Sequence, residues 1–356
     1  MKDQQANITL TTTENYDEYV DSTFDYDMHE VLCEKQEVRK FAQIFLPAFY
    51  AVAFVTGVAG NSLVIAIYAY QKKLKTKTDV YILNLAVADL LLLLTLPFWA
   101  VDAALGWQFG RGICKITSAL YIINFSSGMQ FLACISLDRY FAVKKASSHQ
   151  NFERKCWIIC LFVWITSMLL SIPDFYFSTV KEHNGRHACV GDYPKDSIKQ
   201  VMTTVQIMDI VFCFVLPFIV MLYCYSAMAK IILKTPNIKK ARSLKVLLTV
   251  VGVFLITQLP YNVVKFLRAI DLIYVLITTC NMSRIIDIMM QVTESIALSR
   301  CCLNPILYAF MGITFQSYII KTVKKVSSWR RSTTPSIEEY SMYSENPVEE
   351  TNSFSI

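Results

Sequence analysis

The chain has 356 residues, 54% of them hydrophobic and only 17% charged, with a net charge of +6. The apolar residues gather into seven long runs, which argues against the buried helices of a large soluble protein. The surplus positive charge lies in the loops beside those runs and is no sign of a nucleic-acid partner.

In chain order, residues 1–40 form an acidic tail. Positions 1–38 hold ten acids against two lysines. Tyr16, Tyr19 and Tyr26 each adjoin an acid, in Tyr16-Asp17, Glu18-Tyr19 and Asp25-Tyr26-Asp27, the setting that tyrosine sulfation requires. Such a tail is disordered when free and captures a basic protein by long-range attraction. Asn7-Ile8-Thr9 is a glycosylation acceptor; Asn281-Met282-Ser283 has the same form but adjoins Cys280 and is the weaker site. No cleavable signal peptide is expected, because the start is polar and the first apolar run is too long and too late.

The seven runs are 41–70, 80–101, 116–137, 156–173, 201–229, 246–264 and 288–313. Each is long enough to cross a bilayer as a helix, which satisfies its own backbone where lipid offers no partners. Four of them, the first, third, fourth and sixth, contain no charge. Four lysines at 72–77, four basic residues at 144–155, six at 230–245 and five from Lys321 to Arg331 mark the inner side. The N-terminus is therefore outside and the C-terminus inside, in agreement with an odd number of spans. No internal repeat relates the two halves, which counts against a transporter built from inverted repeats.

Polar residues within the spans are the functional candidates, since each must find a partner or water. Asp89 lies in the middle of the second run, where Asn61 and Asn304 can converge on it. Asp138-Arg139-Tyr140 follows the third run, where it meets a basic loop that opens at Lys144 and Lys145. Asn304-Pro305-Ile306-Leu307-Tyr308 ends the seventh. Pro305 frees the Cys301 carbonyl and lets the helix kink, and Pro97, Pro173, Pro217 and Pro260 act likewise elsewhere. Glu294, about three turns outward of Asn304, suits a counter-ion for a basic ligand group; the alternative is an ion pair with Lys265 or Arg268 on the sixth span. Together these features predict an all-α membrane protein, a rhodopsin-like seven-transmembrane helix bundle at 41–313. A short amphipathic eighth helix and a Ser/Thr-rich cytoplasmic tail follow at 314–356.

Eleven cysteines sort by this topology. Cys33, Cys114, Cys189 and Cys280 fall outside, where two disulfides have three connectivities open to them. The topology favours Cys114–Cys189, from the third span to the second outer loop, and Cys33–Cys280, from the tail to the third outer loop. The other seven lie in or at the ends of spans and serve as small packing residues. No Cys or His grouping has metal-ligand spacing, so neither a metal nor another cofactor is expected, and no enzymatic machinery is visible.

Thr95-Leu96-Pro97, Trp99, the paired outer cysteines, Glu294 and the acidic tyrosine tail resemble the CC-type chemokine receptors. The resemblance runs through 76–101 (TKTDVYILNLAVADLLLLLTLPFWAV), 128–136 (GMQFLACIS), 257–271 (TQLPYNVVKFLRAID) and 291–298 (QVTESIAL). It covers nearly the whole chain and is weakest in the tail and second outer loop. It implies ligand contacts at Trp99, Asp102, Tyr121 and Glu294, besides sulfated Tyr16, Tyr19 and Tyr26. It also implies an activation switch made of Asp89, Asp138, Arg139, Tyr140, Tyr225, Gln258, Pro260, Arg300, Asn304, Pro305 and Tyr308.

Three departures bear on mechanism. Signalling members continue the triplet as Leu-Ala-Ile-Val, where this chain has Phe141-Ala142-Val143-Lys144; that fits the atypical, non-signalling members of the family. Gln258 stands where many rhodopsin-like receptors have a tryptophan. Arg300 replaces the family's usual histidine and Gly128 a serine, at the place where relatives hold sodium. Arg300 is expected to pair with Asp89 as a tethered cation, or else to turn to carbonyls freed by Pro305. The resemblance implies a multi-pass receptor of the plasma membrane that takes up homeostatic CC chemokines, recruits arrestin, passes through early and recycling endosomes and forms receptor heteromers. Eleven serines and threonines between Ser327 and Ser355, interleaved with acids, suit an arrestin-binding strip once phosphorylated. The competing expectation is a conventional G-protein-coupled chemokine receptor mediating chemotaxis.

Overall fold

A computed structural model describes residues 35–70, 76–144, 152–183, 185–234 and 238–311. Seven helical rods run through it. The first is α1 (Gln36–Tyr70), and the second is α2 (Lys77–Leu93) continued by α3 (Leu96–Leu105). The third is α4 (Gly110–Val143); α5 (Phe152–Leu170) and α6 (Ile172–Phe177) form the fourth. The fifth comprises α7 (Ile198–Met208), a widened turn at Asp209–Val215, and α8 (Leu216–Lys234). The sixth is α9 (Ile238–Tyr274), and the seventh is α10 (Cys280–Leu298) with α11 (Arg300–Met311). The rods outrun the apolar stretches because a helix can continue into the polar interface: α4 starts at Gly110 and ends at Val143, around the run 116–137. Among the described residues, the first five are apolar and long enough to cross a membrane by composition alone. The seventh carries charge within the span, at Glu294 and Arg300, and the sixth carries Lys265 just beyond its apolar run.

Three of the prolines sit just after interruptions. Pro97 follows the break at Leu94 and Thr95, Pro173 follows Ser171, and Pro217 follows the widened turn. A hydroxyl bonds back to the carbonyl three residues earlier at three breaks: Thr95 Oγ1 donates to Leu92 O (2.7 Å), Ser171 Oγ to Met168 O (2.8 Å), and Ser299 Oγ to Ile296 O (2.6 Å). Pro260 lies inside α9 without interrupting it.

The largest cluster of buried apolar residues lies toward the inner half, where Ile67, Leu85, Met129, Phe131 and Met221 from four rods are almost fully enclosed. Apolar residues also face outward, as on the fourth rod, where Trp157, Leu161 and Phe162 are exposed. In water such a stripe would be costly; against lipid tails it is not.

The second outer loop is a β-hairpin, a feature the sequence reading did not anticipate. β1 (Ser178–His183) pairs antiparallel with β2 (Arg186–Gly191), with Val180 opposite Cys189. The strands are short and half exposed, so they show little alternation. A tertiary bond holds them: the Cys114–Cys189 disulfide forms as expected. Trp107 N donates to His187 O (2.9 Å), and Gly106 makes room with φ +91, since a Cβ there would come within 2.8 Å of that oxygen. Cys280 is also disulfide-bonded. Its expected partner Cys33, like Asn7, Tyr16, Tyr19, Tyr26, the eighth helix and the cytoplasmic tail, lies outside the described residues.

Candidate functional site

The outer ends of the first, second, third, sixth and seventh rods bring together Tyr50, Trp99, Asp102, Tyr121, Tyr261 and Glu294. Glu294 is half-buried and meets the Tyr121 hydroxyl. Tyr121 in turn donates to Tyr261 Oη (3.1 Å). Tyr50 lies within electrostatic reach of both Glu294 and Asp102. Neither candidate ion-pair partner of Glu294 is free for it. Lys265 Nζ pairs with Asp209 Oδ2 (2.8 Å), and Arg268 pairs with Asp287, which also accepts Lys35 (3.0 Å).

Much of the polar capacity at this mouth is unspent. Trp99 Nε1 and Asp102 Oδ1 are buried without a partner, and so are Gln206 Oε1 and Gln291 Oε1. Trp99 packs its ring on Trp107 at 5.6 Å. Asp102 lies beside Arg186, whose Nη2 donates to the carbonyls of Asp102 (3.1 Å) and Ala103 (3.0 Å) rather than to the carboxylate. Three of these four unpartnered groups are acceptors, so the mouth suits a ligand rich in N–H donors.

A second charged group sits between the fourth, fifth and sixth rods. The Lys265–Asp209 pair is buried, at 8% and 4% exposure, and Asp174 faces it with its Oδ2 unpartnered. The widened turn that begins at Asp209 sets the direction of that carboxylate. Tyr193, in the loop after β2, closes over the group. Burial, followed by the charges of Asp174 and Asp209, pushes its hydroxyl up to about 12, so it stays a neutral donor.

At the midplane, Asp89 is fully enclosed and both its oxygens are used: Oδ1 accepts from Asn124 Nδ2 (2.9 Å) and Oδ2 from Asn304 Nδ2 (2.9 Å). The expected direct Asp89–Arg300 pair is absent. Arg300 Nη2 donates instead to Asn124 Oδ1 (3.0 Å), so the amide stands between acid and base and serves each with the matching end. The other expectation, Arg300 on the carbonyl freed by Pro305, also fails. Asn61 Nδ2 holds Cys301 O (2.9 Å). The guanidinium fits only because residue 128 is glycine: an added Cβ would overlap Arg300 Nη1. Gln258 links the sixth and seventh rods by donating to Ala297 O (2.9 Å).

At the inner end, Asp138 accepts from Thr78 Oγ1 (2.8 Å), Arg139 is half-buried, and the Tyr140 ring packs on Phe141 and Tyr223. Lys144 Nζ lies 5.8 Å from the centre of the Tyr140 ring. Tyr225 shares a hydrogen bond with Ser136 (2.8 Å), tying the fifth rod to the third. Tyr308 lies in the last turn of α11.

The sequence reading missed Tyr50, Tyr261, Asn124, Asp174 and Asp209. The two acids carried the same signal as Asp89 and Glu294, a carboxylate in an apolar stretch, and could have been found by it. Asn124 and the tyrosines carry no such signal, since uncharged residues of these types are common in membrane helices.

Comparison with known proteins agrees with this architecture. Residues 60–308 match the model of the 7 transmembrane receptor (rhodopsin family). Atypical chemokine receptor 4 of Homo sapiens is 57% identical over 95% of either chain, and that of Bos taurus 56% over the same share. C-C chemokine receptor type 9 of Homo sapiens is 38% identical over 88% of this chain and 85% of its own. The chain belongs to the rhodopsin family of seven-transmembrane receptors, in its chemokine-receptor branch, and is a multi-pass membrane receptor rather than an enzyme.

Proposed function

We propose that this receptor captures homeostatic CC chemokines, internalises them through arrestin and delivers them for degradation without activating G protein. The observation that carries the ligand half is the mouth. Glu294 is a half-buried acid whose two candidate cationic partners are engaged elsewhere, and unspent acceptors surround it. Capture runs in two steps. The acidic tail, residues 1–40 with sulfated Tyr16, Tyr19 and Tyr26, holds the body of the basic ligand. Glu294, with Trp99, Tyr121 and Asp102, then receives its flexible N-terminus.

The inner surface supports the second half. Phe141 is exposed and Lys144 folds back over Tyr140, so an aromatic ring and a charge stand where signalling relatives present aliphatic residues. The segment 314–356 supplies the phosphorylated strip for arrestin, and the receptor cycles between plasma membrane and early and recycling endosomes, alone or in heteromers. A conventional G-protein-coupled receptor is the second reading, favoured by the intact Asp138-Arg139-Tyr140 and by relatives such as C-C chemokine receptor type 7, 38% identical. One experiment separates them: uptake of a panel of fluorescent CC chemokines, with cAMP measured in the same cells. Uptake without a pertussis-toxin-sensitive fall in cAMP is expected; a robust fall on adding a tightly bound chemokine refutes the scavenging reading.

A further inference from the structure

One turn inward of Glu294, the third and seventh rods enclose a cavity with room for about one water molecule. Tyr121, Asn124, Ala297, Leu298, Arg300 and Cys301 line it. Its upper wall, Tyr121, is the residue that touches Glu294, and Asn124 follows on the same face of the helix. The chemistry inside is one-sided. Arg300 is only 5% exposed, and while Nη2 is held by Asn124, Nη1 is buried with no acceptor. A buried guanidinium N–H without a partner is costly, so the cavity calls for an oxygen. An anion is disfavoured, because Asp89 and Glu294 already flank the site with negative charge. The remaining candidates are a water and a neutral or hydrogen-bonded oxygen carried in by a ligand.

We infer that Arg300 and this cavity form a deep subsite for an oxygen on the side chain of the ligand's first residue. The inference rests on the chemokine-receptor reading and narrows it. The ligand's α-ammonium meets Glu294, and from there the nearest group able to reach one helical turn deeper, about 5.4 Å, is the side chain of the same residue. A hydroxyl or amide oxygen satisfies Nη1; an aliphatic side chain excludes the water and leaves the N–H bare. The receptor thereby selects ligands that begin with a short residue bearing a neutral oxygen, such as Ser or Asn. To enter, that side chain displaces Tyr121 from its bond to Tyr261 or passes beside it.

The test uses the full-length receptor on cells and a homeostatic CC chemokine made by synthesis with Ser, Asn, Ala or Val in first place. Binding is measured on the wild type and on Arg300→His, with surface level read by antibody. The Ser and Asn forms should bind the wild type more tightly than the Ala and Val forms by roughly tenfold or more, the size of a hydrogen bond to a charged donor. Arg300→His should erase that difference. Equal binding of all four forms by the wild type means that the cavity holds water only and overturns the inference. A preference that persists in Arg300→His also overturns it, since the oxygen is then read elsewhere. If Arg300→His fails to reach the surface, the four ligands on the wild type decide alone. Failure of every form to bind sinks the chemokine reading itself, and the subsite with it.

Discussion

The mouth and the midplane of this bundle are both rich in polar side chains, yet they spend them differently. At the midplane both oxygens of Asp89 accept amide donors, from Asn124 and Asn304. At the mouth, carboxylate oxygens of Asp102 and Asp174, and the Trp99 N–H, are buried without partners. A half-satisfied acid deep among lipid-facing helices would be hard to sustain. Near the surface it persists because water, or a ligand with donors to offer, reaches it. Among the carboxylates, unspent capacity therefore marks where something binds, and spent capacity marks what holds the rods together. Exceptions remain at depth: Arg300 has one nitrogen spent and one not, and the amide oxygens of Asn61, Gln258 and Asn262 are buried without partners.

The contrast predicts effects on stability that fall in a definite order. Lys265→Ala should have the largest, since it leaves Asp209 buried and unpaired, a loss of about 3–5 kcal/mol. Thermal unfolding in detergent and surface abundance read it out, and Lys265→Met combined with Asp209→Leu should recover most of the loss. A loss no greater than that of an exposed substitution would mean that this pair behaves like the open mouth around it. Asn124→Leu comes next. It strips a donor from Asp89 and an acceptor from Arg300 at once, for about 1–3 kcal/mol per group left bare. Gly128→Ala should cost about 1–3 kcal/mol by overpacking, and the same change in an Arg300→His background should cost much less; equal losses in both backgrounds would mean that the arginine does not need that space.

Smallest in stability, though not in function, is Glu294→Gln, expected to shift unfolding by less than about 0.5 kcal/mol. It should lower arrestin recruitment more than ligand affinity. Replacing Tyr16, Tyr19 and Tyr26 with phenylalanine should do the reverse. If both sets of variants reduce affinity and recruitment in equal proportion, capture in two steps is wrong.

The spans and the residues worth testing were legible in the chain itself. Uninterrupted apolar runs, basic inner loops and isolated acids such as Asp89 and Glu294 are local facts, and lipid makes each of them consequential. Pairing was not legible. Lys265 and Arg268 were read as alternatives for Glu294, but Asp209 and Asp287 lie closer to them across the bundle. Arg300 was assigned to Asp89 or to a freed backbone carbonyl, and Asn124 and Asn61 took those positions. Likewise the hairpin at 178–191 depends on a disulfide to a cysteine 75 positions away. Which residues must have partners follows from burial along one helix; which partners they take depends on how several rods rotate against one another, and only the packed bundle decides that.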